Sequence, residues 1–314
     1  MAPYILSVPA PLPAPVESAW QSLSLVWVGW DGSEWDLNSR EQGAMLFRRG
    51  VEGLHNPSIT RHTSTSRGVP GNRLRGWRAE ARAVFWPIYL WGDDSEEWRA
   101  RHNAFFRSIH PDREGKWLVT AGTETRTLRL TGTFDEPHQY DIDPQLHGWA
   151  QYGVTLEAAQ PFWEGSPVVS GPWQAANPVD FFGDGGPPFH ISSQSSFEAA
   201  AVTNPGDIET WGKWTAVGPL TAVELGVDGA VIDLPFAIPD GKTLVIDTSP
   251  RNQTATLGDT VADPAEFVGE DVTEELGLQN YAPVPDGAEV ALHIAATGTG
   301  SIQFEITPLY FRAF

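Results

Sequence analysis

The sequence predicts a mostly-β protein built as two antiparallel units, and three observations carry that expectation. Turn dipeptides such as Asp31-Gly32 and Asp228-Gly229 sit between alternating apolar stretches, the pattern of short hairpins. Sustained helical spacing occurs in one stretch, after Asp94. The 314 residues exceed the usual size of one core, and the two halves differ in charge, with 16 basic and 20 acidic side chains in residues 1–165 against 4 and 20 in residues 166–314. The expected division is a first domain at 1–165, a linker or long loop at 166–196 and a second domain at 197–314. Twelve of the fourteen tryptophans lie at or before Trp173, which fits that division.

Taken in order, residues 1–16 hold prolines at positions 3, 9, 11, 13 and 15 and no basic residue. They match neither a secretory signal nor a transit peptide and predict an extended arm. A hairpin centred on Asp31-Gly32 places Val28 opposite Trp35 and Val26 opposite Leu37. The stretch 77–91 predicts a strand with Arg78, Glu80 and Arg82 outward and Ala79, Ala81 and Ala83 inward. Asp94 as N-cap, with Glu97 three residues on, starts a helix whose Trp98, His102, Phe105, Phe106 and Ile109 form one aromatic stripe before His110-Pro111 ends it. Arg99, Arg101 and Arg107 then fall mostly on its outer surface, either as a solvated face or as a contact for an acidic neighbouring subunit.

A second hairpin at 116–130 pairs Trp117 with Leu130 and Val119 with Leu128. Residues 164–196, rich in Pro, Gly and Ser, show no sustained period. Beyond them the turn Asp228-Gly229 sets Val227 opposite Ala230, Leu225 opposite Ile232 and Val223 opposite Leu234. Further strands are expected at 197–203, 243–247, 252–257, 289–295 and 301–307. Short strands at this spacing favour a sandwich or jelly roll.

Composition excludes several classes of function. Hydrophobic content of 41% with 19% charged residues is ordinary for a globular chain, and no apolar run approaches a membrane span. The absence of cysteine removes disulfides and thiolate chemistry. A net charge of −20 disfavours nonspecific binding to nucleic acid or anionic membranes.

Catalytic patterns are missing as well. There is no phosphate-binding glycine loop, zinc-binding His-Glu-x-x-His or nucleophile elbow. His102 and His110 lie two helical turns apart, too far for one metal. Glu270-Asp271 and Glu274-Glu275 fit repelling neighbours on a solvated loop better than a glycosidase pair. Asp240, Asp247, Asp259 and Asp263 lack EF-hand spacing, and Asp207 fits a turn that bonds its own backbone. Trp211 and Trp214 form either an aromatic platform for a sugar or a plug for the core or a subunit contact. The expectation is therefore a protein without catalysis, cofactor or metal.

Several motifs resemble those of the distal tail proteins of long-tailed phages, in particular phages of actinobacteria. In the first half these are Gly53-Leu54-His55-Asn56-Pro57, the arginine-rich loop through Gly76, the strand and helix after it, the 116–130 hairpin, and a closing strand that ends in Ala159-Gln160-Pro161-Phe162-Trp163. In the second half they are Asn204-Pro205-Gly206-Asp207, Ile232-Asp233-Leu234, Leu244-Val245-Ile246-Asp247-Thr248 and Tyr310-Phe311-Arg312-Ala313-Phe314.

The resemblance implies an N-terminal, β-sandwich-like ring domain with one α-helix and a C-terminal galectin-like sandwich. It implies a homo-hexameric ring at the distal end of the virion tail, with a channel left open for DNA. The implied partners are the tail tube protein, the hub protein, and also the tape measure and outer tip or receptor-binding proteins. An alternative within the resemblance is a carbohydrate-binding host-recognition module. Residues 261–285 are longer and more acidic than that pattern, and the proline-rich arm has no counterpart in it.

Overall fold

In a computed structural model of the chain, the described residues are 22–39, 41–134, 142–174 and 197–314. The expected arm at 1–16 lies outside them, as does the end of the expected linker from residue 175. The chain is mostly β. Its first unit contains β1 (Ser24–Val28), β2 (Glu34–Asp36), β3 (Ala44–Leu46), β4 (Ile59–Ser66), β5 (Val69–Ala79), β6 (Arg82–Trp91), α1 (Ser95–Arg107), β7 (Gly115–Ala121), β8 (Glu124–Gly132), α2 (Pro144–His147), β9 (Trp149–Ala158) and β10 (Trp163–Glu164).

These strands run antiparallel in the order β2-β1-β7-β8-β9-β6-β3. Leu37 joins the two ends: its N–H donates to the Leu25 carbonyl at 2.9 Å and its carbonyl accepts from Leu46 N at 2.9 Å, so the sheet nearly closes. Closure removes free edges and encloses a core. Four fully buried tryptophans run through that core, with ring centroids 5.3 Å apart for Trp27 and Trp86, 5.1 Å for Trp86 and Trp117, and 5.2 Å for Trp117 and Trp163. Helix α1 lies against this core through Trp98 and Phe105, and Trp35 meets Phe105 edge-on at 5.3 Å. Asp94 caps the helix as expected, accepting from Glu97 N at 2.8 Å.

Two hairpin registers differ from expectation. Val28 faces Glu34, Trp27 faces Trp35 and Val26 faces Asp36. The turn is a three-residue one, with Gly32 at φ +80 and Asp31 accepting from the Ser33 N–H and hydroxyl. That one-residue slip exchanges the faces, so Leu25, Trp27, Trp35 and Leu37 are buried instead of Val26 and Val28. In the second hairpin Trp117 faces Leu128 and Gly115 faces Leu130, around Gly122-Thr123. This slip is two residues, so the buried set survives while the partners change.

The expected strand 77–91 is broken after Ala79, and β6 restarts with its faces reversed. Arg82 is buried at 2% exposure and Ala83 is exposed. The arginine-rich stretch expected as a loop is a hairpin, β4 with β5, which forms its own two-stranded sheet. Its Ile59, Leu74 and Trp77 are exposed, so hydrophobic alternation could not announce it.

The second unit contains β11 (Val168–Gln174), β12 (Ala201–Thr203), β13 (Gly212–Val217), β14 (Leu220–Val227), β15 (Ala230–Asp233), β16 (Lys242–Asp247), β17 (Thr254–Asp259), β18 (Gly269–Asp271), α3 (Thr273–Leu276), β19 (Glu289–Gly298), β20 (Ser301–Ile306) and β21 (Leu309–Tyr310). One sheet runs β11-β20-β13-β16-β17-β18 and the other β12-β19-β14-β15. Trp214, Leu244, Ile246, Ile302 and Phe304 of the first pack with Val223, Leu225, Leu292 and Ile294 of the second in one core, which makes a sandwich. The Asp228-Gly229 hairpin has the expected pairs Val227 with Ala230 and Leu225 with Ile232, and both turn residues take positive φ. β11 occupies residues expected to belong to the linker. Gly171-Pro172 interrupts its pattern, and the register with β20 shifts there, but Trp173 still reaches the core.

Replacing Trp117 by Ala should cost about 3–5 kcal/mol of stability, because it opens a cavity in the middle of the tryptophan row. Asp94→Ala should cost only about 1 kcal/mol. Urea denaturation followed by circular dichroism checks both.

Candidate functional site

The site begins with the charge buried most completely among the described residues. Arg82 opens β6, and its guanidinium reaches four carbonyl groups: Pro161 (2.6 Å), Gly53 (2.6 Å), Phe311 (2.8 Å) and His55. Burial pushes its pKa down to about 10, which leaves it charged at neutral pH. The planar fork of donors is what allows one side chain to satisfy acceptors from three separate segments.

Those segments carry the motifs quoted above. The 53–57 loop, the 159–163 turn and the C-terminal segment meet at Arg82, and the 204–207 turn joins them. Phe311 N donates to Asp207 Oδ2 at 2.9 Å, and Asp207 N donates to the Leu309 carbonyl at 2.8 Å. Asp207 thus holds the C-terminal segment rather than its own turn; Asn204 forms the turn instead, accepting from Gly206 N at 2.9 Å.

The C-terminal segment straps the sandwich to the first unit. β21 pairs with β10, Trp163 opposite Tyr310. Arg126 stacks on the Tyr310 ring at 3.7 Å and donates to the Arg312 carbonyl at 2.8 Å. Burial pushes the Tyr310 phenol up in pKa, with the Arg126 cation opposing it. Ala313, 1% exposed, belongs to the first core, and its N–H donates to the Leu54 carbonyl at 2.9 Å. Glu164 accepts from Arg129 Nε with both carboxylate oxygens, at 3.0 and 3.2 Å, beside the same seam.

Above the seam lies a cleft of about 1420 Å³, lined on one side by Arg61, Trp77 and Arg78 of the β4–β5 hairpin and on the other by Trp211, Asp247 and Asn252. The hairpin carries Arg61, Arg67, Arg73, Arg75 and Arg78, all exposed, and no carboxylate from residue 59 to residue 79. Ile59, Leu74 and Trp77 are 41%, 57% and 46% exposed. It is a basic arm with apolar side chains in the open, on a protein of net charge −20.

The residues singled out from the sequence do not gather into one site. Trp214 is 1% exposed and packs on Phe304 at 4.3 Å, so it belongs to the sandwich core, while Trp211 is half-buried at the cleft. Arg99 and Arg107 are exposed, but Arg101 turns inward to Glu97 at 2.7 Å and the Trp91 carbonyl at 3.0 Å. His102 packs between Trp98 and Phe106.

Four of the acidic candidates, Asp247, Asp259, Asp263 and Asp271, are engaged by neighbouring groups. Asp247 accepts from Ser249 N and Asn252 Nδ2, Asp259 pairs with Lys242 at 2.6 Å, and Asp263 accepts from Ala265 N. Asp271 accepts from the Thr273 hydroxyl and N–H, which lower its pKa. Among the described residues, no group of three His, Asp or Glu side chains gathers closely enough to hold a metal ion. The sequence reading set Arg82 on an outward face and took the basic arm for a loop, whereas Arg82 is buried and the arm is a hairpin. The arginine run with no intervening carboxylate was the available signal for the arm.

Arg82→Met should lower stability by at least about 3 kcal/mol by leaving buried carbonyls without donors. Arg82→Lys should recover only a minor part of that, since one ammonium cannot span the acceptors. Urea denaturation measures both, and hydrogen exchange should show the 309–313 amides losing protection first.

No protein-family profile matches the chain, and no curated protein matches it. Solved structures do. The Dit protein (gp 19.1) of phage SPP1, described as a paradigm of the hub adsorption apparatus in phages infecting Gram-positive bacteria, aligns with a TM-score of 0.59 at 14% identity, covering 92% of this chain and 99% of that one. A chain of the phage P2 baseplate in its activated conformation with calcium aligns at 0.56 and 11% identity, over 92% and 98%. The strontium form of that baseplate gives 0.54 and 11%, over 91% and 98%. At these identities the likeness is one of fold, and it spans both units and the seam: the chain has the fold of a phage Dit protein over 92% of its length.

Proposed function

We propose that this protein is a structural, non-enzymatic component of the tail tip of a long-tailed phage. In this reading six copies form a ring that joins the tail tube to the hub below it and leaves a channel for DNA. The observation that supports it is the shared fold with the SPP1 Dit protein, which runs through both units rather than through a common sandwich alone.

The surfaces suit such a ring. A hairpin with exposed backbone edges and exposed Ile59, Leu74 and Trp77 is a surface that favours pairing with another chain. Its five arginines complement the second unit, where residues 166–314 hold 20 acidic and 4 basic side chains. The arm of one copy therefore docks on its neighbour, and closing the ring uses every arm. The 1–165 and 197–314 units divide the work: the first builds the ring and the second faces outward to docking partners. A carbohydrate-binding module, the rival reading, retains Trp211 at the cleft but not Trp214.

Size-exclusion chromatography with light scattering, followed by negative-stain imaging, tests the ring. The expected result is a species near six times 34.3 kDa with six-fold symmetry, alone or on purified tube protein. Reversing Arg61, Arg73 and Arg78 to Glu should dissociate it without lowering the melting temperature. A chain that stays monomeric even beside tube protein would remove the proposal.

A further inference from the structure

The sandwich ends on an open edge. β18 is the outermost strand of its six-stranded sheet and pairs with β17, Thr256 opposite Asp271, Leu257 opposite Glu270 and Gly258 opposite Gly269. Among the described residues no strand pairs with its outer side, and Gly269, Glu270 and Asp271 are all exposed. Val268, just before it, is 82% exposed, and Leu278, past α3, is fully exposed. The β15 edge of the other sheet is covered by comparison: Gln279 donates to the Asp233 carbonyl and accepts from its N–H, both at 3.1 Å. A strand edge left open beside bare apolar side chains is a template for a strand from another chain.

The same stretch carries unbalanced charge. Residues 259–289 hold nine carboxylates, and no lysine or arginine occurs from residue 252 to residue 311. Lys242 reaches Asp259 at 2.6 Å, but among the described residues the exposed Glu266, Glu270, Glu274 and Glu275 make no ion pair.

The β4–β5 arm is the counterpart in each respect. It is a two-stranded sheet whose outer edges pair with no other strand among the described residues. Arg61, Arg67 and Arg73 are exposed and make no ion pair among those residues, while Arg78 reaches Glu80 at 3.8 Å. The register puts Arg61 opposite Trp77 and Thr63 opposite Leu74, and Ile59 shares their face, so apolar side chains and a cation stand together on the side that lines the cleft. Open edge, exposed apolar side chains and uncompensated charge of opposite sign thus occur on both surfaces.

We propose that the basic β4–β5 arm of one copy docks on the open β18 edge of a second copy. Ile59, Leu74 and Trp77 then meet Val268 and Leu278, and the arginines face Glu270, Glu274 and Glu275. This rests on the reading of the chain as a ring component and assigns the surface that the arm meets. The contact is heterologous, arm to edge, so its repetition about an axis closes a ring.

A chain without cysteine allows a direct test. One batch carries Leu74→Cys and a second, isotope-heavy batch carries Val268→Cys, both at exposed positions, so a disulfide between residues 74 and 268 joins two copies. The batches are mixed, alone and beside purified tube protein, oxidised mildly, sized by light scattering and mapped by mass spectrometry. The 74–268 link should be the main light-heavy product, and Leu146→Cys, also exposed, should give only background in place of Leu74→Cys. Glu270→Lys with Glu275→Lys should lower the yield about fivefold or more, and Arg61→Glu with Arg73→Glu on the arm should restore it. Should the lysine pair fail to fold, the cysteine map still decides. Six-fold particles without the 74–268 link would overturn the docking and leave the ring standing. The link in species smaller than six copies would support the docking and count against the ring. Monomers without the link under both conditions would overturn both, and a link indifferent to the charge reversals would overturn the docking.

Discussion

Among the described residues one buried cation, Arg82, ties together segments far apart in the chain. Moving a guanidinium out of water is costly, and Arg82 offsets that cost with carbonyl acceptors instead of a carboxylate. Backbone carbonyls cannot rotate away as a carboxylate side chain can, so each bond fixes a stretch of main chain. Through Gly53, His55, Pro161 and Phe311 the arginine holds a loop, the turn before β10 and the C-terminal segment at the mouth of β6. The β10–β21 pairing and the burial of Ala313 depend on that arrangement, because both need the C-terminal segment to lie across the first unit.

The seam has a mechanical consequence. Two cores, one organised by buried tryptophans and one by the sandwich, are joined by a segment that is a strand edge, a hydrogen-bonded strap and a core residue at once. Domain contacts made only by surface side chains favour relative motion; a shared strand with a buried charge resists it. In the proposed ring such a joint would carry the orientation of each outer sandwich back to the ring itself. The segregated charges act over a longer range, with a basic arm on one unit and an acidic surface on the other.

Some of this was legible in the residues. Asp228-Gly229 fixed its hairpin because both turn positions accept positive φ and no competing residue offered another centre. Asp31-Gly32 has the same dipeptide, but Asp31 bonds Ser33 and Gly32 alone takes the left-handed position, which lengthens the loop by one and exchanges the faces. The cap at Asp94 was local chemistry and was readable as such. Arg82 was not, since its acceptors come from residues 53, 55, 161 and 311, and no local pattern distinguishes an arginine that meets four carbonyls from one in water. Trp211 and Trp214 make the same point in reverse, because strand alternation and sheet pairing, not residue type, send Trp214 into the core against Phe304.

By itself, then, the sequence determined the class of fold, the division of charge and tryptophan between the halves, the capped helix and the register of the Asp228-Gly229 hairpin. Those follow from interactions a few residues long. Only the tertiary structure decided the face of β6, the hairpin nature of the arginine-rich arm, the place of the C-terminal segment in the first core and the convergence of four scattered motifs on Arg82. The hairpin escaped because its Ile59, Leu74 and Trp77 are exposed; the others rest on contacts between residues far apart in the chain, where the partner that satisfies a charge or covers a ring is chosen by packing.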